Sequence, residues 1–199
     1  MSGGVLVGLK DLFFAPEKVG AEGGYDKPYR IAKAMEAKVS PKTSNAVLYA
    51  DDGAAESASA EGETEIELGI DALANDVYAK LLGKQVVGGG VIDTTADTAP
   101  NGALMFRSKK SNGKYRYLVY YKGNFQLPEE EYKTQGDSIE YNTPKIKGVF
   151  VHSDTIIDTK GNGVKRWLQD EDDEGVDPAV LAKWFTEVQL PPFSATPTP

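Results

Sequence analysis

The chain carries one histidine, His152, and no cysteine, so any histidine-based nucleophilic set would have to be built around that single imidazole. No Gly-x-Ser-x-Gly elbow is present to present a serine to it, and His152 reads as an incidental residue at a strand end. Asp170, Asp172, Glu174 and Gly175 open like a calcium-binding loop. The twelfth position of that loop is Leu181, where a bidentate glutamate is required, so the run reads as a solvated acidic turn before a helix. Gly88-Gly89-Gly90 lacks the Lys-Ser/Thr pair and the following helix start that make a phosphate cradle. Glu129-Glu130-Glu131 supplies carboxylates for acid–base work on a glycosidic bond, but adjacent carboxylates in a polar loop are ordinarily just solvated. Tyr115, Tyr117 and Tyr121 share one face of an alternating segment; that face is either a platform for stacking sugars or, the preferred reading, one side of a half-buried sheet. No catalytic set, metal site or cofactor emerges, and the chain is not expected to be an enzyme.

One arrangement remains. Glu61, Glu63, Glu65 and Glu67 alternate with Thr64, Ile66, Leu68 and Ile70. Successive side chains of a strand point to opposite sides, so the glutamates share one face about 7 Å apart and the apolar residues share the other. Four like charges in a row repel one another. The row is either an exposed sheet face that is acidic by chance, or the lining of an aqueous space in which negative charge has a use.

The elements that position these residues are mostly strands. Alternation marks strands over residues 6–15, 31–39 and 61–70, with a short one at 45–50. Ser40-Pro41 is expected to end the second, and the small polar run 51–60 reads as an exposed loop. A helix follows, with Asp71 as N-cap, Leu73, Val77 and Leu81 on one face, and Gly83 closing it. The triple glycine at 88–90 breaks a short strand region with a turn. Residues 103–109 and 114–122 flank Asn112-Gly113, a pair suited to the positive φ angles of a tight hairpin. Residues 136–151 form a strand region with Pro144 at an edge or bulge. Residues 164–169 read as one more strand. Asp177-Pro178 then starts a second helix whose apolar face is Val180, Leu181, Trp184, Phe185 and Val188. The fold class expected is mainly β, a β-sandwich or partly closed barrel with one or two flanking helices. Residues 1–190 are expected to form a single domain and 191–199 a flexible Pro/Ser/Thr-rich tail.

Composition agrees with a globular chain: 199 residues, 40% hydrophobic, 26% charged, with a formal net charge of -8. That charge opposes a protein that grips nucleic acid, which needs a positive surface. The N-terminal residues lack the basic start and apolar stretch of a signal peptide, so synthesis in a cytoplasm is expected.

GLKDLFFAP (8–16), YRIAKAMEAKVSPKTSNAVLYADDG (29–53), ETEIELGI (63–70), RSKKSNGKYRYLVYYKGNF (107–125) and GDSIEYNTPKIKGVF (136–150) occur in an order that resembles the major tail proteins of siphophages, the bacteriophages with long non-contractile tails. Trp184-Phe185 in a terminal helix fits as well. The resemblance implies a structural virion protein that self-assembles into stacked hexameric rings. Those rings would form a tail tube whose channel conducts DNA into the host without binding it specifically. It implies a β-sandwich with a flanking helix, a lumen lined by a continuous ring of strands, and long loops that reach neighbouring subunits, here 40–60 and 127–135. Its partners would be further copies of itself, a tape measure protein, and tail terminator and distal tail proteins, with no membrane involved. Glu61, Glu63, Glu65 and Glu67 are the candidate lumen-facing residues. The alternative is a β-sandwich binding module that recognises carbohydrate or protein, the former through the tyrosine face.

Overall fold

A computed structural model describes residues 3–18, 20, 24–50, 53–128, 134 and 143–192, with the backbone alone at 44–50 and 53–60. The strands are β1 (Leu6–Pro16), β2 (Tyr29–Arg30), β3 (Ala34–Ala50), β4 (Gly53–Ile70), β5 (Gln85–Val87), β6 (Gly90–Ile92), β7 (Gly102–Lys110), β8 (Tyr115–Phe125), β9 (Lys145–Val151) and β10 (Arg166–Asp170). Two short helices join them, α1 (Asn75–Leu82) and α2 (Pro178–Lys183). Eight strands form one antiparallel sheet in the order β2-β1-β7-β8-β9-β4-β3, with β10 also on β8; β5 and β6 make a separate hairpin.

The sheet has apolar residues on both sides. One core joins Leu12 and Phe14 of β1, Leu104 and Phe106 of β7, Ile66, Leu68 and Ile70 of β4, and Leu81 of α1. It draws on β1 and on β3–β4, which lie near opposite ends of the strand order, so the sheet curls around it. The curl is open: the described strands do not close into a barrel. The second core lies on the other face, where Ala15, Met105, Tyr117, Val119 and Tyr121 pack beneath Trp184. Strands β1, β7 and β8 are thus covered on both sides. This is why residues 103–106 read as an unbroken apolar run and not as an alternation. Each leucine, methionine or phenylalanine side chain so removed from water contributes roughly 1.5–3 kcal/mol.

Gly123 lets β8 cross between the two cores. Tyr117, Val119 and Tyr121 face the second core, whereas Phe125 faces the first. A register shift between the Gly102 and Leu104 pairs supplies the odd residue that changes face. A Cβ at Gly123 would run into the Phe150 ring and the Val149 carbonyl.

Five local expectations are corrected. Ser40-Pro41 does not end a strand, and the described part of 51–60 is not a loop: β3 and β4 form one long hairpin, paired from Ala34↔Ile70 out to Ala50↔Gly53. Proline is accepted because β3 is the edge strand and a bulge follows Pro41 directly. The cap of α1 is Ala74, which has no side-chain bond; Asp71 instead accepts from the backbone N–H groups of Lys33 and Ala72, at 3.0 and 2.9 Å. In the β7–β8 turn only Gly113 has positive φ, 84°, and its N–H donates to the Lys110 carbonyl. The fifth concerns the acidic run at 170–174, where Asp170 and Asp172 are held by Lys110. Gly83 closes α1 in the left-handed conformation as expected. Asp177 caps α2 through Ala179 N–H at 2.8 Å, with proline in the first turn. The strand start at 136–142, most of the loop at 127–135 and the tail at 193–199 lie outside the described residues. No helix among those described is long and apolar enough to cross a membrane.

Candidate functional site

β4 sets the geometry of the glutamate row. Thr64, Ile66 and Leu68 are buried, so Glu63, Glu65 and Glu67 point to the opposite, solvent-facing side, while Glu61 is exposed beyond the register shift that separates it from Thr64. There they meet lysines from both neighbouring strands. Lys42 of β3 donates to Glu63 at 2.6 Å and lies 4.0 Å from Glu65. Lys145 and Lys147 of β9 lie 2.9 and 3.8 Å from Glu67. Lys38 of β3 stands directly opposite Glu67 in the ladder. Glu61 is bound by Lys165, whose side chain is almost wholly buried and also donates to the Gly62 carbonyl at 3.2 Å.

These contacts answer the repulsion that the sequence poses. The Lys145 hydrogen bond, with further help from Lys147 and Lys38, holds the Glu67 carboxyl below the usual range. The Lys165 hydrogen bond does the same for Glu61. Lys42 and Lys145 are correspondingly raised, first by their hydrogen bonds to Glu63 and Glu67. The face is therefore zwitterionic. Exposed pairs of this kind add little stability singly, but they cancel the cost of lining up like charges. The lysine side of the arrangement was missed by reading one strand at a time. The signal was available in Lys145-Ile146-Lys147, whose lysines alternate with the same period as the glutamates across the ladder. Lys165 carried no such signal, being 104 residues from Glu61.

Beyond this face β3 and β4 leave the sheet. β9 flanks β4 only from Thr64 to Gly69, whereas the β3–β4 ladder runs on from Thr43↔Glu61 to Ala50↔Gly53. At about 3.3 Å per residue the ribbon reaches roughly 25 Å with no third strand beside it among the described residues.

The other sequence candidates are positioned as follows. Asp170 and Asp172 are not a solvated turn: Lys110 Nζ lies 3.0 Å from Asp170 and 2.5 Å from Asp172, and Arg116 donates to Asp170 through two nitrogens. Asp170, Asp172 and Asp173 come close enough together to hold a cation, but the Lys110 ammonium already sits against two of them. Tyr117 and Tyr121 are 7% and 0% exposed, covered by Trp184, Phe185 and the chain around Gln189. The tyrosine face is a core and not an open platform. Gly88 and Gly89 form the positive-φ turn of the β5–β6 hairpin. His152 is exposed just after β9. Glu129, Glu130 and Glu131 lie outside the described residues.

The family model for phage tail tube proteins matches residues 42–176. The chain belongs to the phage tail tube protein family. No curated protein matches it. The matched span of this tail tube protein begins in β3, takes in the ribbon and the zwitterionic face, and ends just before the cap of α2. Its role is structural, in the tail of the virion. That agrees with the resemblance carried by the quoted segments, and with a mainly β chain whose longest hairpin projects from its sheet.

Proposed function

We propose that the protein assembles into hexameric rings that stack into the tail tube, the conduit through which DNA is ejected into the host. The single observation that supports this best is the β3–β4 ribbon. An isolated two-stranded ribbon is marginal in water, so one extending roughly 25 Å from the sheet calls for a neighbour to pack against. A second copy within the ring or in the next ring supplies it.

In this reading Glu61, Glu63, Glu65 and Glu67 face the channel together with Lys38, Lys42, Lys145 and Lys147. Lysines already engaged by glutamates offer little to a passing phosphate, and the glutamates repel it, so DNA slides without being held. Residues 1–190 act as one domain and 191–199 as an appended tail. The assembly partners are further copies, a tape measure protein inside the channel, and terminator and distal proteins at the ends. Synthesis takes place in the host cytoplasm and the final location is the virion tail. Negative-stain electron microscopy of the concentrated purified protein tests the reading. Rings or hollow tubes support it; a protein that stays monomeric at all concentrations and is absent from virions contradicts it.

A further inference from the structure

The open edge of β1 carries an unusual density of positive charge for an acidic chain. A cleft there is lined by Leu9, Lys10, Asp11, Arg30, Lys33, Ala34 and Arg107. Arg107 is committed: its Nε and Nη2 both lie 2.7 Å from Asp11, a non-glycine residue held at φ 57° in a bulge of β1, and its guanidinium lies over the Tyr115 ring. Lys10, Arg30 and Lys33 surround this neutral pair. Arg30 reaches Asp11 only at 3.7 Å and Lys33 reaches Asp71 only at 3.9 Å, and both side chains are largely exposed. Among the described residues no strand pairs with this edge of β1 at Leu9–Asp11: β2 pairs with Phe13 and Phe14, and the Ile31 N–H donates to the Leu12 carbonyl at 2.9 Å.

The opposite edge of the same strands carries the opposite sign. Lys10 pairs with Arg107, Arg107 with Tyr117, and Tyr117 with Gln169; one row along, Leu9, Ser108, Arg116 and Asp170 are aligned in the same way. β10 ends at Asp170 and passes straight into the turn bearing Asp173 and Glu174. Both of these are exposed and form no ion pair among the described residues. The cationic cleft and the acidic turn thus lie at one level on the two edges of β1-β7-β8-β10, three strand spacings or about 14 Å apart.

We propose that the cleft of one copy receives the Asp173–Glu174 turn of the next, as the lateral contact between subunits. This rests on the tube reading and names a surface for it. A contact between two different patches of one molecule is head-to-tail, and repeating it closes a ring when the rotation allows. Complementary charge fixes the register of such a contact and speeds encounter.

Charge reversal in complementary pairs provides the test, read by light scattering and negative-stain microscopy. Lys10→Glu with Lys33→Glu gives a subunit negative at both patches, and Asp173→Lys with Glu174→Lys gives one positive at both. Each alone is expected to need at least about tenfold more protein to assemble, while keeping the wild-type melting curve. An equimolar mixture is expected to assemble near the wild-type concentration, since each variant then meets its opposite. That recovery also shows that both variants are folded. Assembly of the single variants at wild-type concentrations would overturn the contact and leave the tube intact, as would a mixture that fails to recover. If the cleft variant changes only the binding of a fluorescent oligonucleotide, the occupant is nucleic acid and the proposal fails. A wild-type protein that never assembles overturns both this contact and the tube reading.

Discussion

Asp170 receives two hydrogen bonds from the Arg116 guanidinium, Nε at 2.5 Å and Nη2 at 2.8 Å, from the residue directly opposite it in the ladder. The pair anchors β10 to β8, and Lys110, Asn112 and Lys114 of the β7–β8 turn extend it to Asp172 and Glu171. The end of β10 is thereby clasped to a hairpin tip some sixty residues away in sequence.

Acid should loosen this clasp. The Arg116 hydrogen bonds, and after them the Lys110 contact, hold the Asp170 carboxyl below its ordinary value. A carboxyl lowered in the folded state contributes stability that is complete above its unfolded value of about 4, and that is lost as pH falls through the lower folded value. Asp170→Asn should therefore melt at a lower temperature than the wild type at neutral pH, with the difference shrinking below about pH 4. Melting curves from pH 7 down to 3 check this; an unchanged difference across the range would remove the clasp from the account.

The second core depends on Trp184, which is 0% exposed and packs on Tyr117 and Trp167. Trp184→Ala should cost about 3–5 kcal/mol in urea unfolding. A loss below about 1 kcal/mol would mean that α2 is not part of the folded unit.

At Gly123, alanine would have to displace the Phe150 ring and the Val149 backbone. Gly123→Ala should destabilise by about 1–3 kcal/mol through overpacking. Gly161→Ala offers a contrast, because there the cost comes from its positive φ alone, with nothing close to the added Cβ.

Replacing residues 44–60 with a two-residue Asn-Gly turn should leave the sheet folded, since the Thr64–Gly69 segment keeps both of its partner strands. The same change should abolish tubes. Circular dichroism and electron microscopy read the two outcomes separately, and tubes that persist without the ribbon would show that it is not an assembly arm.

The parts of this molecule that were legible in the sequence are those governed by local rules. Alternation located β1, the inner half of β4 and β8, and it placed Glu63, Glu65 and Glu67 opposite Thr64, Ile66 and Leu68; the register shift between Glu61 and Thr64 was not legible in it. Asp177-Pro178 and Gly83 marked helix ends because capping and left-handed φ act within a turn. The ribbon was hidden because the small and polar residues of 51–60 carry no apolar alternation, and its backbone pairing comes from the register set further in. Pro41 was misleading because its effect depends on whether the strand is central or at an edge, which is a property of the whole sheet. The burial of Asp170 and the pairing of Lys165 with Glu61 both follow from contacts dozens of residues apart, and no local pattern announces them.

A cryo-electron microscopy reconstruction of the assembled protein tests the central claim most directly. The account predicts a hollow tube of stacked six-fold rings, with the face bearing Glu63, Glu65, Lys145 and Lys147 turned to the channel. An assembly with that face on its outer surface, or with no continuous channel, would contradict it.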